Sequence, residues 1–281
     1  MGKTFLLGVG AQKAGTTWMH QYLSNHKNVD MGFAKEYHIF DGLYIPKTPK
    51  VEKYETQAIA QLQGGLSKYK NSKALRCLAF YSDLDLYFSY FTSLLQAPNV
   101  QLTGDYTPAY SGLPEEAFRK IRDEFTARGI PVKVLFLMRD PVDRVISMSR
   151  MEIRKQNLDR SSDNEARVIE KNYTKSRSLL RTRYNDTIKR LESVFKADDI
   201  KFEFFETLFQ IQKIEEISTF LGIDTEEPDF SSEYNVSRTK NEISDELRAK
   251  VAQEYRGVYN FCMDRFGENK IRSIWQNSQF I

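Results

Sequence analysis

Cysteine and histidine are scarce in this 281-residue sequence, and their scarcity excludes several classes of protein. The two cysteines, Cys77 and Cys262, are too few for a disulfide scaffold, and no Cys-x-x-Cys or Cys/His spacing suggests a zinc site. Three histidines, His20, His26 and His38, make a multi-ligand metal site improbable, so we expect no metal. So few cysteines are typical of a reducing compartment.

The sequence also lacks an excess of charge and a long apolar run. Its 41 Lys and Arg residues against 38 Asp and Glu give a net charge of +3, which is too small to indicate binding to nucleic acid. No apolar run reaches the roughly 18 residues of a transmembrane helix, and the opening KTFLLGVGA is too short for a signal peptide. We therefore predict a cytoplasmic protein without a transmembrane segment. The sequence does not indicate an oligomeric state.

Short apolar segments that alternate with helical periodicities predict a single α/β domain over residues 1–281, with a central parallel sheet flanked by helices. The predicted strands include TFLLGVG, NVQLTGD, VKVLFLM and IKFEFF, at 4–10, 99–105, 132–138 and 200–205. Residues 165–196 and 244–267 carry apolar stripes that predict helices. No segment has the composition of a linker between two domains.

Residues 43–98 are predicted to form an insertion on the substrate side. Their first part, 43–75, contains two prolines and the pair Gly64-Gly65, which indicates a loop with a short helix. The insertion is rich in Tyr and Phe. Such rings can stack on a sugar or a lipidic metabolite, although a stripe of aromatic residues is more commonly part of a core.

The sequence GVGAQKAGTTW follows the first strand and opens a helix, which is the context of a phosphate-binding loop. Gly10 and Gly15 have the spacing of the G-x-x-x-x-G-K-[ST] loop, but Thr16 occupies the lysine position and a lysine occurs earlier, at Lys13. The backbone N–H groups, the Lys13 charge and the hydroxyls of Thr16 and Thr17 would bind an anion at the positive end of the helix dipole. The alternative is a plain turn that contains glycine.

A second anion-binding position is predicted at the end of the strongest strand. A Mg²⁺-dependent triphosphatase has an acidic residue there, whereas this strand leads into Arg139, and Asp140 follows one residue later. The sequence thus favours an anion bound at two separate places over a triphosphate bound through a metal. Alternatively, Arg139 forms an ion pair with Asp140, Asp143 or Glu152.

Four motifs resemble, in the same order, those of sulfotransferases that use 3′-phosphoadenosine-5′-phosphosulfate (PAPS). QKAGTTW resembles their 5′-phosphosulfate loop, and RDPVDRVIS resembles their 3′-phosphate motif, an Arg followed eight residues later by a Ser. KEYHIFD (35–41) and DYTPAY (105–110) resemble segments of the carbohydrate-directed, heparan-sulfate branch. The resemblance extends from Gly8 to Gly267.

The resemblance implies a doubly wound α/β fold related to P-loop nucleotide kinases, without a metal. It also implies PAPS as cofactor and 3′-phosphoadenosine-5′-phosphate (PAP) as product. Trp18 is expected near the adenine, Arg139 and Ser147 at the 3′-phosphate, and a late loop over the bound cofactor. The residues that the resemblance assigns to the cofactor are Lys13, Ala14, Gly15, Thr16, Thr17, Trp18, Arg139, Ser147, Ser237, Arg238 and Lys240.

The implied reaction moves the sulfuryl group of PAPS to a hydroxyl or amine of a carbohydrate or small metabolite. It needs a base beside the acceptor and cations beside the departing phosphate. By resemblance Glu36 is the base, with burial raising its pKa, and Lys13 stabilises the leaving phosphate. Alternatively, Glu36 forms a solvated pair with Lys35, and Lys13 is a flexible surface residue. His38 binds substrate, assists Glu36 or packs in the core.

Lys35, His38, Asp105 and Tyr106 are the predicted acceptor-binding residues, and Asp105 alternatively caps a turn. Two positions depart from the carbohydrate branch: Ile39 replaces the first of two phenylalanines, and Tyr106 stands where lysine is frequent. The second departure argues against a highly charged glycan as acceptor. The rival interpretations are a kinase or NTPase that uses ATP and Mg²⁺, and a non-catalytic nucleotide-binding protein of the same fold.

Overall fold

A parallel sheet lies at the centre of the computed structural model, which describes residues 2–46, 50–63, 72–231 and 241–281. In these ranges the strands are β1 (Thr4–Gly10), β2 (Val29–Asp30), β3 (Leu102–Tyr106), β4 (Val132–Met138) and β5 (Ile200–Phe204). Their order is β2-β3-β1-β4-β5, and every neighbouring pair is parallel. All seven residues of β1 are buried, as expected for a central strand covered on both faces.

Helices of the described ranges flank this sheet. They are α1 (Thr16–Asn25), α2 (Ile39–Tyr44), α3 (Lys50–Gln63), α4 (Lys73–Ser82), α5 (Leu84–Leu94), α6 (Glu115–Ala127), α7 (Pro141–Lys155), α8 (Ser162–Asn172), α9 (Ser176–Thr182), α10 (Tyr184–Val194), α11 (Phe205–Leu208), α12 (Ile211–Leu221), α13 (Asp245–Glu254), α14 (Arg256–Phe266) and α15 (Glu268–Ile274). Short 3₁₀ turns cover Pro108–Gly112, Ala197–Asp199 and Gln276–Phe280. Of these described helices, none has the length and apolar character that crossing a membrane requires.

The strand order places a crevice at the carboxyl edge of the sheet, between β1 and β4. The chain leaves β1 through α1 toward one edge of the sheet, and it leaves β4 through α7 toward the other edge. Ligands of open α/β sheets bind where such connections diverge. The loop after β1 and the residue after β4 therefore face the same crevice.

Two glycines let the polypeptide pack closely around β1. At Gly8 a Cβ atom would lie 2.4 Å from the ring of Tyr106, so only glycine fits under that side chain. Gly15 has a φ of +80°, and a Cβ atom there would also lie 2.8 Å from Cδ2 of Leu208. Both conditions exclude larger residues without rearrangement.

The α/β fold class and the parallel sheet predicted from the sequence are confirmed. The helical segment predicted at 165–196 differs, because it is divided into α8, α9 and α10. The break at Arg183 directs the chain into α10, where the Tyr184 hydroxyl donates to the carbonyl oxygen of Arg139 at 2.9 Å. The segment predicted at 244–267 is also divided, at Tyr255, whose hydroxyl donates to the carbonyl oxygen of Tyr173.

The prediction of a loop with a short helix at 43–75 is wrong in its helical content, because α3 alone has 14 residues and α4 begins in the same segment. The helices α3, α4 and α5 connect β2 to β3. Most aromatic side chains of this segment belong to the core, as the alternative interpretation held. Those exposed by 6% or less are Tyr54, Phe80, Tyr87, Phe88 and Phe91.

Candidate functional site

The loop between β1 and α1 leaves polar groups available to a ligand. Gly15 precedes α1 in the left-handed conformation, no side chain caps the helix, and its first turn has no acidic residue. The hydroxyls of Thr16 and Thr17 make no hydrogen bond with another described residue. Ala14 is buried, and its N–H group donates to the carbonyl oxygen of Ala11 at 3.2 Å. This end of α1 has the properties of an anion-binding helix terminus.

Lys13 lies in this loop with a φ of +73° and a half-buried side chain. Burial, together with the charges of Arg154, Arg139, Lys155 and Lys35, lowers its pKa to about 8. No acidic side chain of the described chain forms an ion pair with it. The loop is therefore surrounded by positive charge that an anionic ligand would balance, and the alternative of a flexible surface lysine does not fit this burial.

Arg139 extends from the end of β4 to the same loop. Its Nη1 donates to the carbonyl oxygen of Lys13 at 3.1 Å, and its guanidinium lies 4.4 Å from the ring centroid of Phe205. Its Nε is buried without a hydrogen-bond partner in the described ranges. None of the three acidic partners that the sequence allowed pairs with it, although all three are described. Arg139 is thus a half-buried cation whose buried Nε is an unsatisfied donor.

Asp140 fixes the strand end that carries Arg139. Its carboxylate accepts hydrogen bonds from Val142 N at 2.9 Å, the Tyr259 hydroxyl at 2.6 Å and Asn277 N at 3.0 Å. Glu206 accepts from Asp140 N at 2.9 Å, and burial raises the pKa of Glu206 to about 7. Asp140 therefore begins α7 and joins it to the C-terminal part of the chain.

Ser147 lies on the second turn of α7 and is half-buried, with a hydroxyl that makes no hydrogen bond with another described residue. Ser237, Arg238 and Lys240 lie outside the described residues. Asn241, where the description resumes, is held at the same helix, because its carbonyl oxygen accepts from Arg150 Nη2 at 2.8 Å. Of the predicted 3′-phosphate residues, Ser147 thus lies on α7 and Arg139 lies between β4 and α7.

Trp18 belongs to an aromatic cluster beside the loop. Its ring stacks on Tyr22 and Phe230, with centroid distances of 5.7 and 5.6 Å, and meets Phe209 edge-on at 5.3 Å. Its Nε1 donates to the carbonyl oxygen of Asp229 at 2.9 Å. Phe209 and Phe230 are 38% and 39% exposed. The cluster therefore presents an apolar aromatic surface to solvent next to the anion-binding loop.

Lys35, Glu36, His38 and Asp41 form a hydrogen-bonded chain after β2. Lys35 Nζ donates to Glu36 Oε1 at 2.7 Å, and the Oε2 atom lies 3.1 Å from His38 Nε2. His38 Nδ1 lies 2.9 Å from Asp41 Oδ2. Both ring nitrogens of His38 face a carboxylate, and they donate to both carboxylates only when the ring carries two protons. His38 thus joins the half-buried carboxylate of Glu36 to the buried one of Asp41.

The charge state of Glu36 is set by these contacts. Burial raises the pKa of Glu36, but the hydrogen bond with His38 and the charge of Lys35 outweigh burial and hold the pKa well below its ordinary value. The expectation that the pKa of Glu36 lies above its ordinary value is therefore wrong. The pair with Lys35 exists, but it is part of a larger chain rather than a solvated pair.

Asp105 supports the loop that carries Glu36 and His38 from inside the molecule, through Thr107. It is fully buried and accepts hydrogen bonds from the hydroxyls of Tyr87 at 3.0 Å, Thr107 at 2.6 Å and Tyr110 at 2.7 Å. Burial raises its pKa to about 6, even though these hydrogen bonds lower it. Thr107 Oγ1 also accepts from Tyr37 N at 3.0 Å, between Glu36 and His38.

Neither Asp105 nor Tyr106 has exposed surface, so the predicted contact with an acceptor has no support in this geometry. The loop is also held by the predicted insertion. Lys73 Nζ donates to the carbonyl oxygen of Glu36, and the Tyr81 hydroxyl donates to that of His38. Helix α4 therefore forms part of the support of the candidate acceptor side.

Two residues near this loop were missed by sequence reasoning. His20 lies one turn after Thr16 on α1, and burial and the charge of Lys35 lower its pKa to about 4. Its Nε2 is buried without a partner in the described ranges. Its position four residues after Thr16, on the same face of α1, is the sequence feature that could have identified His20. Arg181 on α9 is 8% exposed, and no motif marked it.

Comparisons with known proteins agree with this fold. The family model described as "Sulfotransferase domain" matches residues 3–254. The crystal structure of a sulfotransferase from Alicyclobacillus acidocaldarius is 20% identical, with a TM-score of 0.62 over 94% of this chain and 96% of that one. Mouse sulfotransferase SULT7A1 complexed with PAP is 13% identical, with a TM-score of 0.48 over 94% and 85% of the chains.

The sulfotransferase domain from the curacin biosynthetic pathway is 18% identical, with a TM-score of 0.40 over 80% of this chain and 75% of that one. No curated protein sequence matches the chain significantly. The Alicyclobacillus structure shows a shared fold, and the family match spans most of the sequence. The chain therefore belongs to the sulfotransferase domain family.

Proposed function

We propose that the chain transfers the sulfuryl group of PAPS to a hydroxyl or amine of a carbohydrate or small metabolite. The observation that carries this proposal is the contact between two anion-binding positions, since Arg139 Nη1 lies 3.1 Å from the carbonyl oxygen of Lys13. Membership of the sulfotransferase domain family supports sulfuryl transfer in general. The cofactor, the acceptor class and the residue roles are our proposals.

The donors at the start of α1 and on Arg139 that have no hydrogen-bond partner in the described residues fit the charges of PAPS. Lys13, Gly15 and the hydroxyls of Thr16 and Thr17 would hold the 5′-phosphosulfate at the uncapped start of α1. The unpartnered Nε of Arg139 would donate to the 3′-phosphate. When bound, PAPS supplies the sulfuryl group, and its 5′-phosphate is the leaving group.

Further residues fit the same ligand. The free hydroxyl of Ser147 supports a place at the 3′-phosphate, and the exposed faces around Trp18 support a place for the adenine. The chain on either side of 232–240 is attached to Trp18 and to α7, which supports a closing role for Ser237, Arg238 and Lys240.

In this proposal Lys13 balances the charge that develops on the leaving phosphate, and Glu36 accepts the proton of the acceptor. Lys35 and His38 keep Glu36 ionised, and buried Asp41 orients His38. The contacts of α4 with the loop support a substrate-side role for residues 43–98. The cytoplasmic location stays a prediction.

Ligand-dependent stability distinguishes this function from its rivals. A ligand that binds only the folded state raises the midpoint of thermal unfolding. We expect PAP to raise it without added metal. A rise only with ATP and Mg²⁺ would indicate a kinase or NTPase. Binding of PAP without transfer from labelled PAPS to any compound of a metabolite extract would indicate a non-catalytic protein.

Replacement of Glu36 tests its role as the base. We expect Glu36→Gln to lower turnover by about 10²-fold or more while PAP affinity changes little, because the cofactor residues stay in place. Turnover is measured as labelled sulfated product formed from PAPS and the extract. Glu55→Gln, an exposed residue of α3, is the matched control. Wild-type turnover in Glu36→Gln would contradict the assignment.

A further inference from the structure

Two buried arginines close to the Glu36 loop have no carboxylate partner. Arg144 is fully buried, its Nη2 donates to Ser178 Oγ at 2.7 Å, and its Nε has no partner in the described ranges. Arg181 is 8% exposed and makes no hydrogen bond or ion pair with another described residue. A buried guanidinium without a compensating anion is costly for a fold.

The acidic residues whose charges act on Arg181 already have other partners. They are Asp41, which lies 2.9 Å from His38, and Glu36, which lies 2.7 Å from Lys35. Outside the described ranges the sequence contains one acidic residue, Glu233. The chain therefore offers few anions that could balance Arg181.

Packing places α9 on the acceptor side of the site. Leu180 of α9 covers Gly112, where a Cβ atom would lie 2.6 Å from the Leu180 side chain and 3.2 Å from Ile45. The turn that contains Gly112 therefore contacts both α9 and the end of α2, the helix that carries Asp41. Arg181 accordingly lies near the Glu36 loop.

The positive charges that act most on Arg181 differ from those that act most on Lys13. Burial and the charges of Arg177 and Arg144 lower the pKa of Arg181 to about 10, whereas Asp41 and Glu36 raise it. The cations that act most on Lys13 are Arg154, Arg139, Lys155 and Lys35. Arg181 lies on α9, whereas Lys13 and Arg139 follow β1 and β4, so we expect the anion that Arg181 lacks to be distinct from the cofactor phosphates.

We propose that Arg181 binds an anionic group of the acceptor, and that the substrates are hydroxyl or amine compounds that also carry a carboxylate, sulfate or phosphate. A guanidinium binds each of these anions through two parallel hydrogen bonds. The acceptor role rests on the proposed function, whereas the anion site itself does not. Tyr106 of β3 stands in place of one cation expected in the carbohydrate branch, and Arg181 supplies a single cation from helix α9.

The anion site is tested by thermal unfolding with acetate, methyl sulfate and methyl phosphate as probes for the three anion classes. We expect at least one probe to stabilise the wild type more than Arg181→Met, because anion binding elsewhere contributes equally to both proteins. Without probe, Arg181→Met should unfold at a higher temperature, since it removes an unpaired buried charge at similar volume. Arg181→Lys should keep part of the probe effect, and exposed Arg167→Met should behave as wild type.

Transfer from labelled PAPS to a metabolite extract tests the acceptor class. We expect the dominant sulfated products to carry a second anionic group. Arg181→Met should lower their formation about 10–100-fold without changing the KM for PAPS, as loss of a charge-assisted contact predicts. Equal probe responses in wild type and Arg181→Met, or a lower unfolding temperature of Arg181→Met, would overturn the inference. Failure of PAP to bind would instead overturn the proposed function, because the probe comparison does not depend on PAP.

Discussion

At the residue scale, the contacts of Glu36 determine how it would act as a base. Lys35 and His38 hold its pKa well below the ordinary value, so the carboxylate stays ionised in mildly acidic solution. A carboxylate of low pKa is a weak proton acceptor. In the proposed reaction the acceptor proton therefore moves to Glu36 while the sulfur–oxygen bond forms, and not in an earlier separate step.

Lys13 gives a prediction about pH. Its pKa is about 8 in the free protein, and a bound anion would raise it toward the ordinary value. Below pH 8 the amine is already charged, whereas at higher pH binding requires proton uptake. We expect the Kd of PAP to rise above pH 8, by up to about tenfold per pH unit.

Isothermal titration of PAP at pH 7, 8 and 9 measures this effect. Lys13→Met should bind PAP more weakly at each pH, and its Kd should lack the rise that Lys13 causes. Parallel pH dependences of the wild type and Lys13→Met would show that the proton is not taken up by Lys13.

Sequence pattern determined the position of some candidate site residues and not of others. Lys13 and Arg139 follow apolar strands of a parallel sheet, and the carboxyl ends of such strands meet at one edge. Asp105 also ends a strand, but its side chain points inward to three hydroxyls. No sequence pattern identified Arg181, because its burial depends on how α9 packs against the turn Pro108–Gly112, which is distant in sequence.

At the element scale, β3 and the turn that follows it hold the candidate catalytic loop. Thr107 Oγ1 donates to Asp105 and accepts from Tyr37 N, so it links the strand to the loop. We expect Thr107→Val, which keeps the shape but loses both hydrogen bonds, to lower the free energy of unfolding by about 1–3 kcal/mol. It should lower turnover about tenfold with little change in PAP affinity, because Glu36 loses its support.

Denaturant unfolding, PAP titration and product formation measure these three quantities. Thr126→Val, an exposed residue of α6, is the matched control and should change stability by less than about 0.5 kcal/mol. Wild-type turnover in Thr107→Val would show that the hydroxyl does not position Glu36.

Element boundaries were predicted less well than element types. The apolar stripe across 165–196 has a continuous helical period, yet the chain breaks at Arg183. The break allows Tyr184 to reach the carbonyl oxygen of Arg139, a contact between segments far apart in sequence. Local periodicity contains no information about such a contact, and tertiary packing decides the boundary.

At the scale of the whole molecule, the α/β class followed from the sequence because buried parallel strands are apolar along their full length. The C-terminal helices could not be placed in this way. The Tyr259 hydroxyl donates to buried Asp140 at 2.6 Å, and Trp275 Nε1 donates to Glu206 at 3.2 Å. The part of the chain beyond the family match thus supports the strand end that carries Arg139.

Tyr259→Phe tests this long-range support. Loss of the donor removes one hydrogen bond to the buried Asp140 carboxylate, whose Oδ1 keeps the bond from Val142 N, so we expect a loss of about 1–3 kcal/mol in the free energy of unfolding. PAP should bind several-fold more weakly, because Asp140 begins α7 and adjoins Arg139. Tyr44→Phe, whose hydroxyl has no hydrogen bond with another described residue, is the control. Unchanged stability and PAP affinity in Tyr259→Phe would contradict this role.

The hydrogen bond from Asn277 N to Asp140 has a consequence for biosynthesis. Lys13 and Arg139 leave the ribosome before Asn277. The N–H group of Asn277, which supports the end of β4 through Asp140, is about 140 residues behind Arg139. The nascent chain therefore carries both cations for about 140 residues of synthesis before the proposed phosphate site has its full support. We expect a nucleotide to bind at full affinity only after residue 277 has emerged from the ribosome.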